Sequence, residues 1–184
     1  MDFSPLYSFL SEEGLSAHRA YHERLKLEYS ILEVSEPALR GVAFTDIPFL
    51  RIDRELRCEA YEKRRRIDLH ELYFSSFRAN AAKYEYIPPS FRSAAEMAYE
   101  LFCLASESES ADFLVVTGDK VTGRVDFTTD RRLSKRQLPL LALDLCEHAY
   151  FQDYGFSREK YLKNAVSHLD FSIVSRFRQP FVSS

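Results

Sequence analysis

Two consecutive prolines, Pro88 and Pro89, constrain the fold of this chain more than any other feature of its sequence. Neither proline can lie inside a helix, so the backbone must leave regular structure there. The chain has 184 residues, enough for one domain or for two small ones packed together. We predict a first domain over residues 1–82 and a second over residues 83–184, with Tyr86–Ser90 as the clearest linker.

The first domain is predicted to be an antiparallel hairpin of two helices. Ser11 precedes leucines that recur among many charged residues, and Pro37 ends that run. After a break, a second helical stretch runs from about Arg51 to Ala81 and turns apolar and aromatic towards its end. Two helices joined in this way pack most simply side by side and in opposite directions.

The second domain is predicted to combine strands with helices. Two apolar runs, residues 113–117 and 124–129, flank a turn that contains glycines and are typical of a hairpin. A third run, residues 138–145, is typical of a buried strand. Helices are predicted over residues 91–105, with Ser90 as the N-cap, and over residues 158–177, with a break near Asp170. The predicted fold class is α+β, an N-terminal antiparallel helical hairpin plus a C-terminal α/β unit with a three-stranded antiparallel sheet and flanking helices.

Composition and charge argue against several classes of function. The formal net charge is −3, whereas nucleic-acid-binding proteins are usually strongly basic, so we expect no nucleic-acid partner. No stretch approaches the ~20 apolar residues of a membrane-spanning helix, so we expect no membrane partner. The three cysteines form no CxxC motif and indicate neither a disulfide framework nor a thiolate zinc site. The first residues show no secretory signal, and we expect a cytoplasmic protein.

Histidines and one aspartate are the candidate functional residues. His18 and His22 are four positions apart and share one face of the first predicted helix. His70 lies where the second helix turns aromatic, and Asp144 and His148 frame the end of the buried strand. Separately, each has an ordinary interpretation as a surface pair, a core histidine or a helix cap, and spacing alone does not bring them together. Three imidazoles and one carboxylate would suit iron, manganese or zinc with a position left for solvent.

A longer motif surrounds Asp144. The segment Leu143–Tyr154 has the sequence Leu-Asp-Leu-Cys-Glu-His-Ala-Tyr-Phe-Gln-Asp-Tyr, and Arg158 and Tyr161 follow it. This pattern resembles the C-terminal signature of the iron/manganese superoxide dismutases. That family carries Asp-x-Trp-Glu-His-Ala-Tyr at this point and Arg-x-x-Tyr a few residues later.

The resemblance covers nearly the whole chain. In the first domain, His18-x-x-x-His22 is similar to the family's first-helix motif, and Leu69–Phe74 is similar to its second-helix motif. The resemblance implies one iron or manganese ion per subunit, held between the two domains. It implies four ligands and leaves one histidine as a bystander: the ligands are His18, His70, Asp144 and His148, and the bystander is His168.

The residues expected around the ligands are largely replaced. Lys26 stands where the family usually has a tyrosine near the substrate entrance. The glutamine that hydrogen-bonds the metal-bound solvent has no clear counterpart, and its candidate positions are Arg66 and the segment 128–130. The family's pocket tryptophans and one tyrosine are also missing. The residues that stand in their places are Phe74, the segment Ser110–Phe113, Cys146 and Phe151.

The resemblance implies a superoxide dismutase, which converts superoxide to dioxygen and hydrogen peroxide. His22 and Glu147 are expected to lie just outside the ligands, and His22 and Lys26 at the substrate entrance. Glu147 reaches across a two-fold axis in the family, so we expect a homodimer; a salt bridge to Arg158 within one chain is the alternative. The competing hypothesis is a non-enzymatic protein that keeps the dismutase fold as a structural or assembly module. A metal-dependent hydrolase or oxygenase is suggested by the ligand set alone.

Overall fold

The computed structural model of the chain describes residues 2–78, residue 87 and residues 91–177. The predicted linker Tyr86–Ser90, apart from Ile87, and the predicted boundary between residues 82 and 83 lie outside these ranges. The division into two domains therefore stays a prediction. Within the described ranges, no helix combines the length and the apolar character needed to cross a membrane.

Two long helices, α1 (Glu12–Ser35) and α2 (Arg54–Ser75), form most of the N-terminal part. Each helix begins at a residue whose side chain accepts a hydrogen bond from N–H groups of the first turn, which have no partner inside the helix. This N-cap is Ser11 in α1 and Asp53 in α2. α1 ends before Pro37, as the sequence predicts.

The two helices pack against each other in opposite directions. Near the start of α1, the ring of His18 lies 5.2 Å from the ring of His70, which is near the end of α2. Further along α1, Glu28 forms an ion pair with Lys63, which lies earlier in α2, at 2.5 Å. Contacts that advance along α1 while they retreat along α2 confirm the antiparallel hairpin.

The C-terminal part contains an antiparallel sheet of three strands, β1 (Phe113–Asp119), β2 (Val125–Thr129) and β3 (Gln137–Asp144). The order across the sheet is β2-β1-β3, so β1 lies in the centre, and its residues are buried up to Gly118. At one end of the sheet, Asp144 pairs with Phe113. The predicted three-stranded antiparallel sheet is confirmed, and with it the α+β class.

α2 ends at Ser75, before the predicted end at Ala81. The next residue, Ser76, explains the early end because its hydroxyl and carbonyl oxygens accept hydrogen bonds from outside the helix. Its hydroxyl accepts a hydrogen bond from the Ala142 N–H of β3, and its carbonyl accepts one from the Asp170 N–H. Ser76 therefore attaches the end of α2 to the sheet and to the C-terminal segment.

Helices pack around the sheet: α3 (Ala94–Glu107), α4 (Phe151–Tyr154), α5 (Arg158–His168) and α6 (Ser172–Arg176). The prediction of Ser90 as the N-cap of α3 is wrong, because that cap is Ser93. The Ser93 hydroxyl accepts a hydrogen bond from the Glu96 N–H, a Ser-x-x-Glu spacing that is itself typical of a helix start. The predicted break near Asp170 is confirmed, since it falls between α5 and α6.

The apolar core joins the two parts of the chain. Its larger cluster combines residues from both long helices, the sheet, α3 and α5, among them Leu15, Tyr73, Met97, Phe113 and Tyr161. A smaller cluster fills the other end of the hairpin and includes Leu25, Tyr29, Leu39 and Ile67. The polar residues His18, His70 and Asp144 are buried beside the larger cluster, where α1, α2 and the end of β3 meet.

Candidate metal centre

The structure brings together four side chains from four separate segments. His18 lies on α1, His70 near the end of α2, Asp144 at the end of β3, and His148 in the short 3₁₀ turn Glu147–Ala149. One nitrogen or oxygen atom from each lies within 4.8 Å of the corresponding atoms of the other three. We call these residues the four-residue cluster.

One carboxylate oxygen lies at the centre of the four-residue cluster. Asp144 Oδ2 is 3.1 Å from His18 Nε2, 3.2 Å from His70 Nε2 and 3.1 Å from His148 Nε2. His70 Nε2 and His148 Nε2 are 3.0 Å apart. The side chains of His18, His70 and Asp144 are essentially inaccessible to solvent, whereas that of His148 is 26% exposed. His148 therefore forms the open side of the cluster.

Hydrogen bonds outside the cluster fix the orientation of two of its members. His70 Nδ1 donates a hydrogen bond to the carbonyl oxygen of Arg66, one turn earlier in α2, at 2.6 Å. Asp144 Oδ1 accepts a hydrogen bond from the Cys146 N–H at 2.8 Å, which directs Oδ2 towards the histidines. The Tyr161 hydroxyl donates to the Asp144 carbonyl oxygen at 2.9 Å and holds the end of β3.

The charge states follow from burial. Burial lowers the pKa of His18 to about 4, so its imidazole is neutral at neutral pH. Burial acts to raise the pKa of Asp144, but hydrogen bonding to His148 and His18 holds that pKa well below its ordinary value. The four-residue cluster thus combines a carboxylate with neutral imidazole at neutral pH, which is the state in which these groups bind metal ions.

The donor set fits a metal ion. Because Nδ1 of His70 donates to the Arg66 carbonyl, the neutral tautomer of this ring would present the Nε2 lone pair to the Asp144 carboxylate at 3.2 Å. Two acceptors that face each other in a buried site are unfavourable unless a cation lies between them. Donor atoms that bind one ion at about 2 Å each lie roughly 3–4 Å from one another, and Asp144 Oδ2 keeps 3.1–3.2 Å to all three imidazole nitrogens. Three imidazoles and one carboxylate suit iron, manganese or zinc.

The comparison with protein families agrees with this geometry. Residues 78–177, more than half of the chain, match the family model of the iron/manganese superoxide dismutases, C-terminal domain. This chain belongs to the iron/manganese superoxide dismutase family. No curated protein matches it. The matched region contains Asp144 and His148, whereas His18 and His70 precede it.

The residues predicted to lie near the four-residue cluster of this dismutase-family chain differ in burial and in their distance from it. His22 is buried, and its ring stacks on that of His70 with 5.6 Å between centroids. Lys26 lies on the surface, where its ammonium is 3.5 Å from Glu23 and 3.8 Å from Glu71. His168 lies outside the cluster and stacks on Phe9 instead.

Glu147 is exposed beside His148. Arg158, the alternative partner predicted for Glu147, donates hydrogen bonds to three backbone carbonyls at the C-terminal end of α3, those of Ala105, Ser106 and Ser108. The guanidinium therefore caps α3. A cavity of about 490 Å³ opens next to these residues, and its walls include Asp112, Cys146, Glu147, His148 and Tyr150.

Sequence reasoning misses Tyr21, which contacts the cluster directly. The ring of Tyr21 lies 4.1 Å from the ring of His148 and 5.6 Å from that of His70, between centroids. Burial raises the pKa of the Tyr21 hydroxyl, and the nearby Arg66 charge opposes that shift. The sequence contains one signal for Tyr21: it lies three residues after His18, and residues three apart share one face of a helix.

Proposed function

We propose that His18, His70, Asp144 and His148 bind one iron or manganese ion per subunit and that the protein is a superoxide dismutase. The observation that carries the proposal is the approach of three imidazole nitrogens to one buried carboxylate oxygen, at 3.1–3.2 Å, in a member of this family. Zinc fits the same donors but does not change oxidation state, so family membership favours iron or manganese.

One-electron exchange between superoxide and a bound iron or manganese ion would release one superoxide as dioxygen and, with two protons, a second as hydrogen peroxide. The protein's own residues prepare the site for that chemistry. Neutral imidazoles and a single carboxylate leave net positive charge on a divalent or trivalent ion, and this charge attracts the superoxide anion. The side chains of His18, His70 and Asp144 are closed to solvent, which keeps bulk water away from these three sides of the cluster.

His22 and Lys26 are proposed to lie at the substrate entrance. His22 stacks on His70, and Lys26 lies one helical turn further along α1 on the surface. A cation at this place would steer an anion towards the site, although Glu23 and Glu71 offset part of the Lys26 charge.

The protein is further proposed to be a cytoplasmic homodimer in which Glu147 of one subunit accepts a hydrogen bond from His148 of the other. Because Nε2 of His148 is directed at Asp144, its Nδ1 is directed away from the cluster and needs an acceptor. Glu147 beside it is exposed, and across a two-fold axis its carboxylate would be the acceptor for His148 of the second copy.

The second candidate function is a non-enzymatic dismutase-fold protein that serves as a structural or assembly module. The observation that favours it is the replacement of the surrounding tryptophans and tyrosines, most directly by Cys146 and Phe151. The four ligands favour the enzyme, because a site without function has no reason to retain all of them.

Metal content and activity measured on the same purified sample test the proposal. We expect about one iron or manganese ion per chain, together with dismutation of superoxide that is lost in His148→Ala. The matched control is His168→Ala, a histidine outside the four-residue cluster, which should keep both properties. Metal without activity would favour the non-enzymatic function. Protein that holds neither metal after reconstitution with either ion would refute the proposed site.

A further inference from the structure

Asp112 directly precedes β1. It contacts two chain segments that carry members of the four-residue cluster: α2, which carries His70, and the segment that follows β3, next to Asp144. Its Oδ2 accepts a hydrogen bond from Arg66 Nε on α2 at 2.9 Å. Its main-chain oxygen accepts one from the Leu145 N–H at 2.9 Å, directly after β3. The Cys146 thiol lies 3.7 Å from both the Oδ1 and the main-chain oxygen of Asp112. One residue thus ties α2 to the segment that follows β3.

Arg66 and Cys146, which both contact Asp112, are each hydrogen-bonded to a member of the cluster. The main-chain oxygen of Arg66 accepts from His70 Nδ1 at 2.6 Å, and the Cys146 N–H donates to Asp144 Oδ1 at 2.8 Å. A continuous series of contacts therefore runs from His70 through Arg66, Asp112 and Cys146 to Asp144. These contacts connect two proposed ligands on their outer side, away from the metal position.

We propose that Asp112, acting with Arg66, is a positioning residue of the metal centre that fixes His70 relative to Asp144. The inference rests on the proposed metal site and extends it to two residues that are not ligands. Arg66 occupies one of the two positions considered for the family's glutamine, and Asp112 lies in the segment where the family's Gly-Ser-Gly-Trp is absent. The ion pair between Arg66 and Asp112 therefore lies where this sequence differs from the family pattern.

The surroundings distinguish this ion pair from an ordinary surface pair. The Asp112 side chain is only 15% exposed, and its carboxylate also receives Arg65 Nη2 at 3.4 Å. Asp112 and Cys146 both line the cavity beside His148, so Asp112 borders the open side of the cluster. Hydrogen bonds behind metal ligands set their orientation, and the loss of one typically costs 10–100-fold in metal affinity.

The test uses Co²⁺ as the probe, because its visible absorption reports the geometry of the bound ion without any enzymatic turnover. Asp112→Asn keeps the shape of the side chain and removes its charge, and Arg66→Met removes the partner. The matched control is Arg64→Met, because Arg64 also lies on α2 and forms an ion pair through Nε with a carboxylate, that of Asp68, at 2.9 Å. Melting of the metal-free proteins is measured beside the Co²⁺ spectra and affinities.

We expect both Asp112→Asn and Arg66→Met to alter the Co²⁺ spectrum and to weaken Co²⁺ binding by ~10–100-fold. Arg64→Met should keep the wild-type spectrum and affinity. The inference is overturned if the two variants match that control, or if both lose their fold without metal, which would make the role structural. An altered spectrum in protein that proves inactive towards superoxide supports the inference and refutes only the dismutase. A wild-type protein that takes up no Co²⁺ overturns the inference together with the metal site.

Discussion

At the scale of single residues, Arg65 and Asp130 show how this chain buries charge. Both side chains are almost inaccessible to solvent, and the guanidinium contacts the Asp130 carboxylate directly. The other oxygen of that carboxylate accepts a hydrogen bond from the Phe113 N–H at the start of β1. Glu62 and Asp112 approach the same guanidinium at 2.5 and 3.4 Å. Buried charge of this kind is tolerated because it is paired.

Removal of one member of this pair should therefore cost more than removal of both. Asp130→Ala should lower the free energy of unfolding by ~3–5 kcal/mol, because the Arg65 charge stays buried without its closest partner. The double variant Arg65→Met/Asp130→Leu removes both charges, keeps apolar volume and should lose less. Urea unfolding of the metal-free proteins measures both changes. A double variant at least as unstable as Asp130→Ala would contradict this account.

At the scale of elements, Ser76 joins α2 to the sheet. Its buried hydroxyl donates to the Leu72 carbonyl at 2.7 Å and accepts from the Ala142 N–H at 3.0 Å. Ser76→Ala leaves a buried N–H without its acceptor, which should lower the free energy of unfolding by ~1–3 kcal/mol. Hydrogen exchange at the Ala142 amide should become faster in this variant.

The adjacent serine provides the control for Ser76. Ser75 bonds within α2, to the carbonyls of Glu71 and Leu72, and it is exposed. Ser75→Ala should therefore change the free energy of unfolding much less than Ser76→Ala. Equal losses in the two variants, measured by urea unfolding, would show that the contact with β3 does not stabilise the fold.

The same elements show which parts of the fold follow from sequence. Local patterns predict the two ends of α1, the three strands and the break near Asp170, because each depends on neighbouring residues. They misplace the end of α2, since Ser76 bonds to Ala142 and Asp170, which are distant in the sequence. They also misplace the cap of α3, where both Ser90 and Ser93 are serines before a helix and only Ser93 has a glutamate three residues later.

The candidate site divides in the same way. Its four members lie in motifs that the sequence displays, so their identity can be predicted from a resemblance. The ring contact of Tyr21 with His148 and the bond between Asp112 and Arg66 join residues far apart in the chain. No local pattern marks such contacts, because they depend on how the helices and the sheet pack.

At the scale of the whole molecule, the proposed metal links the helical hairpin to the α/β unit. Two proposed ligands come from α1 and α2, and two from the end of β3 and the turn after it. Because an ion bound to the folded state alone stabilises that state, metal removal should lower the melting temperature. Differential scanning calorimetry before and after chelation measures the change. His148→Ala, which lacks a ligand, should respond far less; a wild-type melting temperature unchanged after proven metal loss would contradict the link.

The last prediction concerns the proposed dimer. A carboxylate beside a ligand and near a buried metal is costly to desolvate unless a donor meets it, and His148 needs an acceptor for its outer nitrogen. A two-fold interface answers both needs, because each Glu147 can accept from the other subunit's His148. Glu147→Ala should shift the protein towards monomer and lower metal affinity by ~10–100-fold, as measured by analytical ultracentrifugation and metal competition. Glu159→Ala, the removal of an exposed carboxylate on α5 that pairs with Lys163, is the control and should change neither. If Glu147→Ala stays dimeric and fully metallated, the bridge between subunits does not exist in this form.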